Sequence, residues 1–116
     1  MRWLPAAALL MLGLVACGGT KPPQDVAREY VATNAPRKCD ALTQSLVERL
    51  TQRRGEAARA ACRRNVARFA APRDVKVRQT HAEGRVAEVQ LIADGRPAEI
   101  RLVKQGGRWR ISGLGE

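Results

Sequence analysis

The sequence predicts an α+β domain, with three helices followed by a curved four-stranded antiparallel meander sheet. Two observations predict this order. Between residues 25 and 69 the apolar residues recur at helical spacing, so that they share one face of each segment. After Pro72 apolar and polar residues alternate, and three short glycine-containing stretches interrupt the alternation. We expect one face of this sheet to be exposed to solvent and the other to be covered by the helices.

The helical half divides into three segments. The first begins at Asp25 and ends before Pro36, because a proline disfavours helix at the residue preceding it. The second spans residues 40–50 with Asp40 as its N-cap, and the third spans residues 56–69. The residues expected on their buried faces are Val26, Ala27, Tyr30, Val31, Asn34, Leu42, Leu46, Val47, Leu50, Ala58, Ala61, Cys62, Asn65, Val66 and Phe69.

The second half divides into four short strands joined by hairpins. The hairpin stretches are residues 82–85, 94–96 and 105–108. Asp94-Gly95 is the clearest hairpin signal, because both residue types tolerate the left-handed backbone of a two-residue turn. The residues expected on the covered face of the sheet are Val75, Val77, Ala87, Val89, Leu91, Ala98, Ile100, Leu102, Trp109 and Ile111.

Length and composition set limits on the core and the surface. The chain has 116 residues, which is enough for one domain and not for two. It contains only two Trp, one Tyr and one Phe, so the core must be built from Ala, Val, Leu and Ile. The net charge of +10 predicts attraction to anionic surfaces in general and does not predict a fold.

The N-terminal segment has the anatomy of a secretory signal peptide. Residues 3–16 carry no charge, but this run falls short of the roughly 20 residues that cross a bilayer, and it ends in small residues. The stretch "LVACGG" at 14–19 resembles the lipobox of bacterial lipoproteins. The resemblance implies that the Cys17 thiol receives a diacylglyceryl group and that cleavage occurs before Cys17; the alternative is an ordinary signal peptide or membrane anchor with a chance cysteine. The predicted divisions are a leader at 1–16, a lipidated cysteine and tether at 17–24, and a domain at 25–116.

Two cysteines remain if Cys17 carries lipid. Export places Cys39 and Cys62 in an oxidising compartment, where paired cysteines usually form disulfides. Closing this loop stabilises the fold by roughly 3.5 kcal/mol in the chain-entropy treatment. A metal site or a reactive thiol is the alternative, but the chain has no CxxC and its only histidine is His81.

Three stretches resemble sequences of a known superfamily in their residue types and spacing. They are "DVAREYVATNA" (25–35), "CDALTQSLVERL" (39–50) followed by the second cysteine, and "GGRWRISGL" (106–114). Together with the order of helices and strands, they resemble small bacterial lipoproteins with a nuclear transport factor 2-like (NTF2-like, or cystatin-like) domain. The resemblance implies a helix-backed sheet that forms a cone with an internal cavity. It implies no activity, because the superfamily includes enzymes, binding modules and structural domains.

A catalytic site of the ketosteroid-isomerase-like type would use an acidic base and a proton donor, for which the candidates are Tyr30, Asp40 and His81. We expect Tyr30 to pack in the core with its hydroxyl at the rim, Asp40 to cap a helix, and His81 to be exposed beside a turn. The superfamily's catalytic residues cannot be placed on this chain position by position. The chain also lacks a Ser-His-Asp order, a Gly-rich phosphate loop and a metal cluster. We therefore expect no enzyme, no cofactor and no metal.

Arginines crowd the third helix and the turn before it. Arg59 and Arg63 are four residues apart and are expected to share an outward face. Such a set is either an ordinary solvated helix or a patch for anionic lipid headgroups or envelope polymers. Nucleic acid is not expected, because export separates the protein from it and no aromatic residues are interleaved with the arginines. The predicted patch consists of Arg53, Arg54, Arg59, Arg63, Arg64 and Arg68.

These observations predict a lipoprotein anchored at the extracytoplasmic face of the cell membrane, or of an outer membrane if the source has one. Its expected role is a non-catalytic binding or accessory module of the envelope, which uses the cavity of the cone as an apolar pocket of a few hundred Å³. This binding hypothesis fails if the helices fill the concave face of the sheet completely. A cationic adaptor acting through the arginine patch is the first alternative. An isomerase- or dehydratase-like enzyme is the second, and it requires an acidic group buried in a cavity.

Overall fold

The computed structural model describes residues 20–115. The predicted leader and the lipidation residue Cys17 lie outside the described residues. The helices are α1 (Pro23–Ala32), a 3₁₀ helix (Pro36–Ala41), α2 (Gln44–Thr51) and α3 (Gly55–Val66), and the strands are β1 (Val75–Glu83), β2 (Val86–Ala93), β3 (Arg96–Gln105) and β4 (Arg108–Gly115). The sheet is an antiparallel meander in the order β1-β2-β3-β4, so the predicted α+β class is confirmed.

Helix α1 begins at Pro23, two residues before the predicted start at Asp25. Proline suits this first position because its φ is already helical and its missing N–H would have no partner there. The helix lies across the sheet, where it contacts β1, β2 and β4. Ala27 is fully buried beneath it, so α1 covers the inner face of the sheet.

The prediction that Asp40 caps the second helix is wrong. Asp40 lies inside the 3₁₀ helix, and α2 begins after Thr43, whose Oγ1 accepts a hydrogen bond from the Leu46 N–H at 3.1 Å. The Thr43 N–H in turn donates to the Ile111 carbonyl at 2.8 Å, and Leu42 forms a parallel bridge with Ile111. The N-cap therefore lies where the chain docks along the free edge of β4, which protects that edge from other pairing.

Helix α3 ends at Val66, three residues before the predicted end. Beyond it the Arg68 and Phe69 N–H groups donate to the carbonyls three residues earlier, at 3.0 and 3.3 Å. These tighter turns rotate Phe69 away from the buried face, and its side chain is 69% exposed. Four residues that were expected on buried faces are exposed: Asn34, Leu50, Asn65 and Phe69.

The three predicted hairpins are confirmed. Two-residue turns join the strands at 84–85, 94–95 and 106–107. Asp94 and Gly95 have φ of 48° and 82°, the left-handed pair that matches strand twist in a tight hairpin. The Asp94 carboxylate also accepts from the Arg73 and Asp74 N–H groups, at 3.0 and 2.8 Å for Oδ1, and so fixes the start of β1.

The core is one apolar cluster between the helices and the inner face of the sheet. No described residue with a buried side chain is charged, and Thr43 is the one buried polar residue among them. Within residues 20–115 no helix has the length and apolar character needed to span a membrane. The core members are Ala27, Cys39, Leu42, Leu46, Val47, Ala58, Cys62, Ala87, Val89, Leu91, Ile100, Leu102 and Ile111.

Candidate functional site

Two open cavities meet at a lysine–tyrosine pair. The first, of about 280 Å³, lies between the ends of α1 and α3 and the 3₁₀ helix. The second, of about 520 Å³, lies between α1, the 3₁₀ helix and the start of β4. Tyr30, Thr33 and Lys38 line both cavities and therefore form the wall between them.

The wall is held by contacts within the Tyr30–Lys38 pair. Lys38 Nζ lies 4.3 Å from the centroid of the Tyr30 ring and donates to the Thr33 carbonyl at 2.7 Å. Both side chains are half-buried. Burial raises the pKa of Tyr30 and lowers the pKa of Lys38, because a low dielectric disfavours the charged form of each. The ammonium over the ring face is a cation–π contact.

The second cavity is cationic and has an aromatic wall. Two carboxylates, those of Glu29 and Asp40, line it against five cations, and Glu29 is already paired with Lys21 at 2.8 Å. The Trp109 ring provides the apolar wall, and Lys104 Nζ lies 5.6 Å from the centroid of that ring. The arrangement suits an anionic group attached to an apolar or planar body. The five cations are Lys21, Arg37, Lys38, Arg108 and Arg110.

Arg110 has a structural role as well. Its Nη1 donates to the Asp40 carbonyl at 2.6 Å and so joins β4 to the 3₁₀ helix across 70 residues of sequence. Arg37 and Arg108 are exposed, and their side chains make no hydrogen bond or ion pair within residues 20–115. These two arginines are therefore the groups best placed to bind an anion.

The first cavity is lined by apolar and by polar side chains. Val31, Val66 and the disulfide-bonded Cys62 form its floor, and the exposed side chains of Leu50 and Phe69 stand at its rim. The Asn34 side-chain amide donates to the Phe69 carbonyl at 3.1 Å, which ties the segment after α3 to the end of α1.

The cone interior implied by the resemblance is filled at its centre. Val89, Leu91, Leu102 and Ile111 on the inner face of the sheet are buried against the helices. Both cavities have the predicted size, but they open between the helices and at the β4 edge instead. The prediction that the binding pocket lies in the interior of the cone is therefore wrong, because buried side chains occupy that space.

The predicted disulfide is confirmed. Cys39 and Cys62 are bonded, with a Cα–Cα separation of 6.2 Å. Because Cys39 lies on the 3₁₀ helix, the bond joins that helix to α3. Both cysteines are buried in the core, next to the floor of the first cavity.

The expectation that Arg59 shares an outward face with Arg63 is wrong. The Arg59 guanidinium is turned inward and donates to the Cys39 carbonyl at 2.6 Å, the Leu42 carbonyl at 3.2 Å and Gln44 Oε1 at 2.9 Å. Arg63 pairs with Glu56 at 2.7 Å on the surface.

The other arginines of the predicted patch are exposed. Arg53 and Arg54 precede α3, Arg64 lies in its last turn, and Arg68 follows it. Their guanidinium groups make no hydrogen bond or ion pair within the described part of the chain. Four of the six arginines thus remain available to an anionic partner.

The catalytic candidates do not converge on one place. Tyr30 and Asp40 line the second cavity, whereas His81 is exposed on β1, with Nε2 3.9 Å from Glu83 Oε1, and lines a separate cavity against the sheet. The isomerase-like alternative requires a buried acidic group, but the carboxylates at the second cavity, Asp40 and Glu29, are exposed.

Sequence reasoning missed the cation cluster of the second cavity. Four of its five members come from two stretches, 37–38 and 108–110, and the fifth is Lys21; each of these is unremarkable when taken separately. The one available signal was the tryptophan between two arginines in "RWR", a pattern suited to an exposed aromatic with cationic neighbours. Only the docking of the 3₁₀ helix along β4 brings the two stretches together.

The sequence matches no family model and no curated protein. Among solved structures, a Campylobacter jejuni protein described as an NTF2-like transpeptidase is similar, with a TM-score of 0.52 and 12% sequence identity. The match covers 80% of this chain and 99% of that one. At this identity the likeness shows the fold alone, which is NTF2-like.

Proposed function

We propose that this NTF2-like domain is a non-catalytic binding module that a lipid on Cys17 holds at the extracytoplasmic face of the cell membrane. The observation that carries the proposal concerns the cysteines. Of the three in the chain, Cys39 and Cys62 are bonded to each other, and the third lies in the stretch that resembles a lipobox. A disulfide fits an exported protein, because reducing compartments such as the cytosol keep cysteine thiols reduced.

Two acyl chains would hold the domain stably, since each buried methylene contributes about 0.8 kcal/mol. The ligand class follows from the second cavity, where five cations, two carboxylates and an aromatic wall favour an anionic partner with an apolar part. Binding is favoured over chemistry because Glu29 is engaged by Lys21 and Asp40 is exposed, so neither carboxylate has the environment of a tuned acid or base.

Intact-mass measurement of the full chain extracted from membranes tests the anchor and the disulfide together. We expect the loss of residues 1–16, the added mass of a diacylglyceryl group, and the loss of two hydrogens at Cys39–Cys62. Cys17→Ser should remove the lipid, and the matched Cys62→Ser variant should keep it. A cytosolic chain with an uncut leader and three free thiols would refute the proposal.

A second candidate function is a cationic adaptor that binds through α3. This candidate is favoured by four exposed arginines and two exposed apolar side chains in and around α2 and α3. The arginines are Arg53, Arg54, Arg64 and Arg68, and the apolar side chains are those of Leu50 and Phe69. Such a surface would bind anionic envelope polymers in a salt-dependent way, because exposed charges are screened within about 8 Å at physiological ionic strength. Absence of binding to an anionic polymer such as teichoic acid at low salt would remove this candidate.

A further inference from the structure

The chain is fixed to the domain from Thr20 onwards. The Thr20 hydroxyl donates to the carbonyl of Gly107 in the β3–β4 turn. The next residue, Lys21, pairs with Glu29 on α1, and the Pro22 carbonyl accepts from the first N–H groups of α1 at 3.0 and 3.2 Å. Pro23 is buried. The β3–β4 turn therefore lies beside the point where the tether meets the domain.

Covalent reach then limits the distance between the turn and a bilayer. Cys17 precedes Thr20 by three residues, and an extended chain spans at most about 3.6 Å per residue, or about 11 Å in all. A lipid on Cys17 would thus hold the β3–β4 turn close to the headgroup layer. Arg108 follows that turn directly, and both Lys21 and Arg108 line the second cavity.

The second cavity has the chemistry that a phosphate headgroup requires. Guanidinium groups donate paired hydrogen bonds to phosphate oxygens, and Arg37 and Arg108 have no partner within residues 20–115. Tryptophan favours the membrane interface, where its ring is amphipathic, and Trp109 is the aromatic wall of the cavity. Of the two carboxylates at the cavity, Glu29 pairs with Lys21, and Asp40 is outweighed by the four other cations.

We infer that the second cavity is the docking site for the phosphate headgroup of an anionic phospholipid in the membrane that carries the anchor. This inference rests on the proposed lipid at Cys17 for its geometry. It orients the domain: the β3–β4 turn faces the bilayer and the headgroup enters between Arg37 and Arg108. The domain would then be docked by two contacts, the acyl chains and the cavity, instead of swinging on a flexible tether.

Vesicle binding by the leaderless chain, residues 17–116 with Cys17→Ser, tests the inference. Every buried described residue lies between Pro23 and Gly113, so this chain keeps the core and the disulfide. Trp3 lies in the leader, so Trp109 is the sole tryptophan of the leaderless chain and its fluorescence reports on the cavity. The probes are phosphatidylcholine vesicles with and without phosphatidylglycerol, and glycerol phosphate free in solution.

The test variant is Arg37→Gln/Arg108→Gln, and its control is Arg53→Gln/Arg54→Gln, which removes the same charge before α3. We expect the test pair to weaken binding to phosphatidylglycerol vesicles about thirtyfold, because each of the two lost cations contributes about five- to sixfold at an anionic surface. The control pair should weaken the same binding less than about threefold. Arg37→Lys/Arg108→Lys should recover only part of the binding, because an ammonium keeps the charge but not the paired hydrogen bonds of a guanidinium. Thermal midpoints of all three variants should match the parent, since the replaced side chains are exposed.

Three results would overturn the inference. Equal losses in the test and control pairs would show nonspecific attraction, and a larger loss in the control pair would place the membrane contact at α3. Binding of free glycerol phosphate as tightly as vesicles would make the ligand a soluble phosphate. The lipid proposal fails separately, in the mass measurement: a lipidated Cys17 with no cavity-dependent binding refutes only the headgroup site.

Discussion

Replacing Arg59 by methionine should destabilise the domain far more than the same change at Arg63, one helical turn away. Methionine keeps an apolar stem of similar length and a similar helix propensity, so each substitution removes mainly the guanidinium. Arg59 donates to the Cys39 and Leu42 carbonyls at the end of the 3₁₀ helix, where the Cys39 carbonyl also accepts a longer bond, at 3.3 Å, from the Leu42 N–H. Its loss leaves the Leu42 carbonyl without a hydrogen-bond donor among the described residues, and leaves the Cys39 carbonyl with only the longer bond from the Leu42 N–H, beside the disulfide.

The magnitude follows from these bonds. A hydrogen bond to a charged group contributes about 1.5–3 kcal/mol, and Arg59 makes two of them to part-buried carbonyls. Because water can reach part of this half-exposed site, we expect a net loss of about 2–4 kcal/mol. Arg63 pairs with Glu56, whose side chain is 78% exposed, so its loss should fall within about 1 kcal/mol.

Urea and thermal unfolding, followed by Trp109 fluorescence, measure both changes. At about 4–8 °C per kcal/mol for a domain of this size, Arg59→Met should lower Tm by at least about 10 °C and Arg63→Met by a few degrees. Equal shifts in the two variants, or a shift below about 1 kcal/mol for Arg59→Met, would refute the assignment of Arg59 as a link between α3 and the 3₁₀ helix. Arg59→Lys should recover part of the loss, since an ammonium reaches fewer acceptors.

Three further predictions concern the disulfide, a hairpin and a tyrosine. Replacing Cys39 and Cys62 by alanine should lower the free energy of unfolding by about 3.5 kcal/mol in urea titrations, from a loop whose ends lie 23 residues apart; a change below about 1 kcal/mol would contradict the chain-entropy argument. Asp94→Ala removes the acceptor of the Arg73 and Asp74 N–H groups and puts alanine at a φ of 48°, so it should cost about 1–3 kcal/mol and speed hydrogen exchange at those two amides; unchanged exchange would refute the role of the carboxylate. Burial raises the pKa of Tyr30 above its usual 10.0, so the ultraviolet absorbance of the phenol should titrate at higher pH in the folded chain than in urea. The stability that the neutral phenol contributes should be present below pH 10.0 and be lost as the pH rises through the folded pKa. Identical titrations in the folded and unfolded chains would show that the ring is solvated.

The strands and hairpin turns of the second half lie close to where the sequence predicted them. Its alternation and its turns depend on neighbouring residues only, because side chains alternate across a strand and tight turns require particular backbone angles. The helix boundaries were less well predicted. Asp40 and Thr43 are both good N-cap types three residues apart, and the choice between them was made by the Thr43 N–H bonding to Ile111 on β4.

The site was predicted in part. The pairing of Cys39 with Cys62 followed from counting cysteines. Arg53, Arg54, Arg64 and Arg68 are exposed, and their role as a patch for an anionic partner stays a prediction. Helical spacing also placed Arg59 outward, but it ignored the 3₁₀ helix that packs against that face and offers carbonyls to it. Periodicity gives the direction of a side chain relative to its own helix and not what lies opposite.

The sequence by itself determined which segments are helix or strand, where the hairpins turn, which cysteines pair and how basic the surface is. These properties are set within a few residues, or by composition alone. Tertiary structure decided where the pockets open, which arginine turns inward, and that Arg37 and Arg108 line one cavity. Groups so far apart in the chain meet only because the 3₁₀ helix docks along the edge of β4, and no local pattern encodes that contact.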